Sequence, residues 1–396
     1  MTMKQAVPFN LAKRVSQLTP SATLAIEAKA KKLKAEGLDV ISFGAGEPDF
    51  DTPAYIKDAA HEALKKGVTK YTPAQGTVEL RKAIAEKLKR DNGLEYSPEQ
   101  IVVSCGAKHS IYNVIQVLIE EGDEVLIPSP FWLSYPEMVS LSGGKSVFVP
   151  TTEETDFKVT PAMLKKFITP QSKLLILNSP SNPTGAFYTE DELRALSSFI
   201  KEHQLLVVSD EIYEKLLYDG RKHFSLAATD EETKRLTVTV NGHSKTYAMT
   251  GWRIGYLACE KEIAQAISSL QSHSTSNPTS FAQSGAEAAL RLEDKNEIEK
   301  VRALFEKRRD LIFTEMSKSP KLVPFKPQGA FYLFCNIQKT GLGSLAFCDK
   351  LLEQKKVAAV PGIAFGSDHH IRLSFATSED NIKKGVARIL EFVNSL

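Results

Sequence analysis

The sequence has few of the features that would direct it to a membrane, a nucleic acid or a structural metal ion. Its four cysteines, Cys105, Cys259, Cys335 and Cys348, show no CxxC spacing, which argues against a zinc site and against a disulfide framework. No apolar run approaches the roughly 18 residues that span a bilayer, and the N-terminal residues lack the apolar segment of a secretory signal. The 50 Lys and Arg residues nearly balance the 48 Asp and Glu residues, so no net charge attracts nucleic acid. We therefore expect a cytoplasmic protein whose partners are small molecules.

Several nucleotide and metal motifs are also absent. The segment 44–49, GAGEPD, lacks the third glycine of a dinucleotide fingerprint, and the sequence contains neither GxxxxGK[ST] nor HExxH. These absences argue against a Rossmann dinucleotide site, a P-loop and a zinc-protease helix. The pair His369 and His370 is expected to be a solvated loop pair ahead of a strand.

The chain is long enough for more than one domain, and its 42% hydrophobic and 25% charged residues are ordinary for a globular protein. Between residues 50 and 290, apolar runs alternate with amphipathic stretches, which predicts an α/β fold with a mostly parallel sheet between helices. The chain ends differ: Ser21 is expected to cap a first helix, short strands appear near 331–334 and 370–373, and a capping box at 377–380 opens a last helix. We predict a large domain of residues 50–290 and a smaller α+β domain formed by 1–49 and 291–396.

Polar residues follow three consecutive apolar runs. Asn182 comes after the run 174–177, Asp210 and Tyr213 come after 205–208, and Lys245 and Arg253 come after 236–240. Open α/β sheets bind ligands at the carboxyl ends of their strands, so we expect these side chains to share one site. A lysine amine that is desolvated there beside another cation becomes a nucleophile toward carbonyl groups. Each motif alone has an ordinary alternative, since Asp210 could cap a helix and the segment around Asn182 could be only a turn.

The ordered set of motifs, from residues 20–23 to residues 372–374, resembles the aspartate aminotransferase family of fold-type I pyridoxal-phosphate enzymes, specifically its subgroup Ib. The resemblance implies a fold-type I architecture with a seven-stranded sheet. It also implies that pyridoxal 5'-phosphate forms a Schiff base with Lys245 and that its ring nitrogen pairs with Asp210. Tyr213 and Asn182 would bond the phenolic oxygen of the ring.

The resemblance also assigns the residues around the cofactor phosphate. They are the small residues Gly106 and Ala107 with Lys108 at the start of a helix, Arg253, and Tyr71, whose family counterpart reaches the neighbouring subunit's phosphate. Many relatives carry Ser-x-Ser-Lys where this chain has GHSK at 242–245. A phosphate contact from position 242 is therefore lost, and Ser244 is a candidate substitute.

On the substrate side, the resemblance assigns the α-carboxylate to Arg372, whose planar fork suits bidentate pairing. Trp132 would stack on the cofactor ring, and Gly46 would let its backbone approach the substrate. Lys108 would bind the distal carboxylate of an acidic substrate, and Thr19 resembles the threonine that accompanies such a lysine in members that also accept prephenate. A core position for Trp132, and a solvated or phosphate-binding role for Lys108, remain open.

The activity that the resemblance implies is amino transfer between aspartate or glutamate and 2-oxo acids such as 2-oxoglutarate and oxaloacetate, with prephenate to arogenate as a second reaction. A homodimer with shared sites is expected. An aromatic or alanine-type aminotransferase, or a lyase of the same fold, remains open. A pyridoxal-phosphate-binding regulator is less expected, because such proteins carry an N-terminal DNA-binding domain, for which the residues before Pro20 would leave no room.

Overall fold

The computed structural model describes residues 11–16 and 18–396, and that part of the chain contains thirteen strands in three sheets. The strands are β1 Ile41–Ser42, β2 Ile101–Ser104, β3 Glu124–Ser129, β4 Lys145–Pro150, β5 Ser172–Asn178, β6 Leu206–Asp210, β7 Thr237–Gly242, β8 Gly255–Ala258, β9 Val323–Phe325, β10 Tyr332–Asn336, β11 Val357–Ala358, β12 Val360–Pro361 and β13 His370–Ser374.

The helices alternate with the strands through the middle of the chain and cluster again at its end. They are α1 Lys13–Ser16, α2 Ala22–Ala35, α3 Ala54–Lys65, α4 Val78–Asn92, α5 Ala107–Leu118, α6 Ser134–Leu141, α7 Pro161–Leu164, α8 Glu190–Glu202, α9 Glu231–Leu236, α10 Lys261–Ser274, α11 Ser280–Arg291, α12 Lys295–Met316, α13 Ser344–Lys355 and α14 Glu379–Asn394.

The central sheet has seven strands in the order β2-β8-β7-β6-β5-β3-β4. Strand β8 is antiparallel to both of its neighbours, and the other pairings are parallel. The predicted α/β class with a seven-stranded, mostly parallel sheet is therefore confirmed. Strands β5, β6 and β7 are adjacent and parallel, so their carboxyl ends lie side by side at one edge.

Helices cover both faces of this sheet, which explains why its strands are apolar runs rather than alternating patterns. On one side, Ile111, Val114 and Ile115 of α5 pack against β2, β7 and β8 residues such as Val238. On the other, Leu196 and Ile200 of α8 join the core that contains residues of β5 and β6. Each such side chain stabilises the fold by about 1.5–3 kcal/mol on full burial.

Two smaller sheets lie outside the central one. Strands β1 and β11 form a parallel pair, and β12-β13-β10-β9 form an antiparallel sheet. Helix α14 packs on the core beneath these sheets through Ile382, Val386, Ile389 and Val393, the apolar face that the sequence predicts. The strands outside the central sheet belong to residues 41–42 and 323–374. The domain limits of 50–290 against 1–49 and 291–396 stay a prediction.

Two local expectations need correction. The N-cap of α14 is Ser378, whose side chain accepts from Asn381 N, and not Thr377 at the start of the predicted capping box. His370 is not solvated: it begins β13, its ring stacks on Phe334 at 4.5 Å, and its nitrogens bond Ser367 and Glu153. The predicted cap of the first long helix by Ser21 is confirmed, since the Ser21 side chain accepts from Leu24 N.

Across residues 11–16 and 18–396, no helix combines the length and the apolar character needed to cross a bilayer.

Candidate active site

A cavity of about 470 Å³ opens at the carboxyl ends of β5, β6 and β7. Because the three strands are neighbours, residues that end or follow them meet there. Eleven residues predicted from the sequence line this cavity: Gly46, Ala107, Lys108, Trp132, Asn182, Asp210, Tyr213, Ser244, Lys245, Arg253 and Arg372. Three others do not line it: Thr19, Tyr71 and Gly106.

Lys245 follows β7 by three residues and projects into the cavity. Its Nζ donates a hydrogen bond of 2.5 Å to the carbonyl oxygen of Gly46 and lies 5.8 Å from the centroid of the Tyr213 ring. Burial lowers the pKa of Lys245 to about 8, and the Glu47 carboxylate opposes this shift. A neutral, nucleophilic amine is therefore available near pH 8, whereas an exposed lysine is almost fully protonated there.

The carboxylate of Asp210, the last residue of β6, lies buried at the cavity. Its Oδ2 accepts a 2.7 Å bond from the Tyr135 hydroxyl, and its Oδ1 accepts from Ile212 N at 3.3 Å. Burial raises the pKa of Asp210 to about 6, although the Tyr135 bond lowers it. The residues that follow form a turn rather than a helix, so Asp210 is not a helix cap. A carboxylate has about four acceptor positions, which leaves room for a further N–H donor.

Tyr213 lies in the turn after β6, and its hydroxyl is 3.0 Å from the Tyr332 hydroxyl. Burial raises the pKa of both phenols, so both are neutral donors at ordinary pH. The pair places two adjustable O–H groups on the wall of the cavity between Asp210 and Arg372.

Arg372 is buried on β13 and reaches the cavity from the opposite side. Its Nη1 donates to Asn182 Oδ1 at 3.0 Å, and its Nη2 donates to the Gly44 carbonyl oxygen at 2.9 Å. Its Nε has no partner among the described residues, and its guanidinium carbon lies 4.4 Å from the Tyr332 ring centroid. A buried cation whose bonds go to neutral oxygen atoms is a strong site for an anionic ligand.

The N-terminus of α5 and Arg253 form a second anion-binding end of the cavity. Gly106 precedes this twelve-residue helix with φ of +90°, and a Cβ on it would collide with the Arg253 guanidinium. Arg253 is held by bonds to the carbonyl oxygens of Thr250 at 2.7 Å and Cys105 at 3.2 Å. Helix N-terminal N–H groups and an arginine fork together suit a phosphate group. Ser244 adds a hydroxyl to the same cavity.

Lys108 extends from the first turn of α5 at the mouth of the cavity. Its Nζ lies 4.9 Å from the centroid of the Trp132 ring, a cation–π contact. Burial lowers the pKa of Lys108, and the charge of Arg253 lowers it further. Lys108 also lines a neighbouring cavity of about 520 Å³, to which Thr19 contributes.

Thr19 and Tyr71 are exposed. The Thr19 backbone N–H donates to Glu137 Oε2 at 3.2 Å, which fixes this segment beside the second cavity. The Tyr71 residue is 91% exposed and lines neither of the two cavities. The roles predicted for these two residues stay predictions.

Three residues of the site were missed by the sequence analysis. Asn178 ends β5 opposite Asp210, donates from Nδ2 to the Asp210 carbonyl oxygen at 3.0 Å and accepts from Asn182 N at 2.8 Å. The strand-end pattern could have identified it. Tyr135 and Tyr332 carry no such signal, because they reach the cavity only through the placement of α6 and β10.

The comparisons with known proteins agree with this geometry. Residues 38–389 match the model of the family described as aminotransferase class I and II. The chain is 53% identical to the aspartate aminotransferase of Bacillus subtilis, over 97% of this chain and 99% of that protein. It is 44% identical to the aspartate/prephenate aminotransferase of Thermus thermophilus, over 96% of this chain and 97% of that one. The solved structure of aspartate aminotransferase from Thermus thermophilus with maleate has a TM-score of 0.94, 43% identity, and covers 98% of this chain and 100% of its own.

This chain is a class I and II aminotransferase. The fold-type I architecture predicted from the sequence is confirmed by the same comparisons.

Membership of this aminotransferase family implies pyridoxal phosphate as the cofactor, and the residues present fit that group. Lys245 supplies a buried amine with a lowered pKa, and Asp210 supplies a buried carboxylate with free acceptor positions. The glycine at position 106 leaves space beside Arg253 at a helix N-terminus. The three features correspond to an aldehyde, a pyridine nitrogen and a phosphate, the three polar ends of this cofactor.

Lys245→Met should change how the stability of the cofactor-free aminotransferase depends on pH. The folded-state pKa of about 8 lies below the 10.5 of an exposed lysine, so between these values the unfolded chain binds more protons than the folded chain. Wild-type stability should therefore rise with pH through this window, relative to the variant. Relative to the variant, the wild type should be less stable below about pH 8 than above about pH 10.5 by about 3 kcal/mol, because the folded wild type buries a charge at the lower pH.

Urea unfolding of both proteins at about pH 7.5 and about pH 10 measures this difference. The stability of the variant relative to the wild type should be lower at the higher pH. A difference of equal size at both pH values would contradict the lowered pKa.

Proposed function

We propose that this protein is a pyridoxal-phosphate-dependent aminotransferase that moves the amino group between aspartate or glutamate and their 2-oxo acids, oxaloacetate and 2-oxoglutarate. The observation that carries the proposal is the meeting of Lys245, Asp210 and Arg372 in one cavity. The names of the relatives at 53% and 44% identity support the acidic substrate class.

Pyridoxal phosphate, when bound, supplies a carbonyl carbon for the substrate amine and a ring that withdraws electrons from the substrate α-carbon. In this proposal Lys245 Nζ holds the cofactor and Asp210 pairs with its ring nitrogen. Asn182 and Tyr213 bond its phenolic oxygen. The N–H groups of Ala107 and Lys108, with Arg253 and Ser244, hold its phosphate, and Gly106, whose own N–H donates to Ser104 O at 2.7 Å, leaves the space beside Arg253.

The proposed proton carrier is Lys245. Once the substrate amine has replaced it on the cofactor, Lys245 Nζ is a free amine again, and with a pKa of about 8 it would take up the proton that leaves the substrate α-carbon and later release it. General bases work best when their pKa lies near the operating pH. The buried Asp210 carboxylate favours a protonated partner, because an opposite charge nearby favours the charged form of each group.

Arg372 is proposed to bind the α-carboxylate of the substrate and Asn182 to assist it. In the structure Arg372 donates to Asn182 and to the carbonyl oxygen of Gly44, so a carboxylate would join or replace neutral acceptors. Trp132 at the mouth is proposed to stack on the cofactor ring, and the Gly46 backbone to approach the substrate.

Lys108 is proposed to bind the distal carboxylate. It lines the main cavity and the neighbouring one with Thr19, so a larger dicarboxylate such as prephenate has space beside it. This arrangement supports prephenate as a second substrate, converted to arogenate, and favours it over an aromatic or alanine-type preference.

A homodimer with shared sites is proposed on the position of Tyr71. Tyr71 is exposed and lines neither cavity of its own chain, which suits a residue that completes the site of a second copy.

Reduction of the cofactor-loaded enzyme with borohydride, followed by peptide mapping, should place the pyridoxyl label on Lys245. The lysine has the lowered pKa and the cavity position that covalent capture requires. Lys108, which also lines the cavity, serves as the internal control and should remain unlabelled. A label on any lysine other than Lys245 would refute the assignment.

Lys108→Met should lower kcat/KM for aspartate and prephenate by roughly ten- to a hundred-fold, because a charge-assisted hydrogen bond contributes about 1.5–3 kcal/mol. Slow turnover of alanine or phenylalanine should be spared. Steady-state kinetics with 2-oxoglutarate as the amino acceptor measure both classes of donor.

The matched control is Lys31→Met, which removes the other mouth lysine of the same cavity and should leave this selectivity unchanged. Equal losses for acidic and neutral donors in Lys108→Met would show that Lys108 serves the cofactor, and the acidic-substrate proposal would lose its main residue.

Mixing Lys245→Ala chains with Tyr71→Phe chains should restore activity, because a hybrid dimer would contain one site with both native residues. Subunit exchange followed by an activity assay and mass measurement tests this. Each parent variant alone should have much less activity than the mixture. A fully active monomer at assay concentration would rule the shared site out.

A further inference from the structure

The end of β6 and the turn after it present their residues to two different environments. Asp210 and Tyr213 line the active-site cavity. Glu211 and Glu214 do not line it, and their side chains are 2% and 6% exposed. The same five-residue turn therefore holds the proposed partners of the cofactor on one side and two buried carboxylates on the other.

Glu211 is bonded by three side chains from two segments. Its Oε1 accepts from Ser209 Oγ at 2.8 Å and from Ser225 Oγ at 2.7 Å, and its Oε2 pairs with His223 Nε2 at 2.8 Å. Its own N–H donates to the Val240 carbonyl oxygen of β7 at 2.9 Å. Glu211 thereby ties the turn to β6, to β7 and to the 223–225 loop.

Glu214 is held by helix α4. Its carboxylate pairs with Lys87, whose side chain is 2% exposed, and accepts from Asn92 Nδ2 at 3.0 Å. Lys87 in turn donates to Asn92 Oδ1 at 2.8 Å. Lys87 also lies close to His243, two residues before Lys245, where its charge adds to the larger effect of burial in lowering the His243 pKa to about 3.

Glu211, Glu214 and His223 offer three possible ligand atoms within 4.8 Å of one another. The Lys87 ammonium already neutralises Glu214, and serine and asparagine donors occupy the oxygen atoms that a cation would need. The cluster is an internally paired network rather than a metal site.

A buried ion pair is a weak source of stability, because desolvation of both ions offsets much of their attraction. The hydrogen bonds within such a pair are directional, and removal of one partner leaves an uncompensated buried charge. Four separate segments contribute to this network: α4, the end of β6, the turn and the 223–225 loop. Because its bonds end on Glu211 and Glu214, such a network fixes the geometry of the turn.

We infer that Lys87, Glu214, Glu211 and His223 form a positioning network that fixes the turn 210–214, and with it the Asp210 carboxylate and the Tyr213 hydroxyl. These residues contact neither substrate nor cofactor and act through Asp210 and Tyr213. The inference rests on the proposed roles of those two residues.

Lys87→Met, compared with Lys158→Met, tests the network. Lys158 is likewise buried and paired, at 2.5 Å, but its partner Glu192 belongs to α8 and not to the turn after β6. Three quantities are measured for each protein: the melting temperature without cofactor, the midpoint of the visible-absorbance pH titration of the cofactor-loaded enzyme, and kcat and KM for the amino donor.

Both variants should lower the melting temperature. Only Lys87→Met should move the titration midpoint and lower kcat, by roughly ten- to a hundred-fold, since small misplacements of reacting groups have effects of this order. KM for the donor should change little, because Arg372 lies outside the network. Lys87→Arg, which keeps the charge, should recover part of kcat.

A Lys87→Met enzyme that melts earlier but keeps the wild-type titration midpoint and kcat would show that the network is structural only, and would overturn the inference. Should Lys87→Met fail to fold, the combined Lys87→Met and Glu214→Met variant removes both charges and gives the same readouts. A wild-type protein without a titrating cofactor band or aminotransferase activity would refute the proposed function itself, whereas an active wild type with unaffected variants refutes only the network.

Discussion

Removal of water from the end of Lys245 is the constraint on which the site depends. The lysine is placed by β7 at an edge where β5 and β6 also end, and the loop 44–47 covers it from the other side. The same exclusion of water raises the pKa of Asp210 and of the Tyr213 phenol. The same burial therefore lowers the pKa of the amine of Lys245 and raises the pKa of the Asp210 carboxyl and the Tyr213 phenol.

The cavity carries positive charge at two ends, and the buried groups of Lys245, Asp210 and Tyr213 lie between them. Arg253 and the N-terminus of α5 create positive potential at one end, and Arg372 creates it at the other. Three carboxylates line the same cavity, those of Glu27, Glu47 and Asp210, and of these the Asp210 carboxylate is buried at the end of β6. A phosphate group would suit the end formed by Arg253 and α5, and a carboxylate would suit the end formed by Arg372.

The sequence predicted that the residues after β5, β6 and β7 lie together, because strand ends are set by local patterns. Apolar runs identify β5, β6 and β7, and the first polar residues after them can only emerge at one edge of a parallel sheet. Arg372 was found by family resemblance, since nothing local marks it as different from other strand arginines. Tyr135 was missed because its contact with Asp210 depends on how α6 packs. The two residues are 75 positions apart in the sequence.

The error at His370 has the same origin. A histidine pair before a strand is polar by local criteria, yet His370 is buried by the Phe334 ring and by Glu153, 217 residues away in sequence. The buried partners of Glu211 and Glu214 were equally invisible, because α4 and the turn are far apart along the chain.

The two contacts from the loop 44–46 have a consequence for selectivity. Gly44 and Gly46 offer main-chain oxygens to Arg372 and Lys245, so each cation already has an acceptor that no side-chain substitution can delete. At Arg372 a ligand therefore meets a guanidinium whose Nη1 and Nη2 already donate to neutral oxygen atoms, while its Nε has no partner among the described residues. A carboxylate forms charge-assisted hydrogen bonds that are stronger than those to a peptide oxygen, whereas an amide or alcohol gains little by the exchange. The carbonyl oxygen of Gly44 thus competes with uncharged ligands for Arg372 and favours anionic ones.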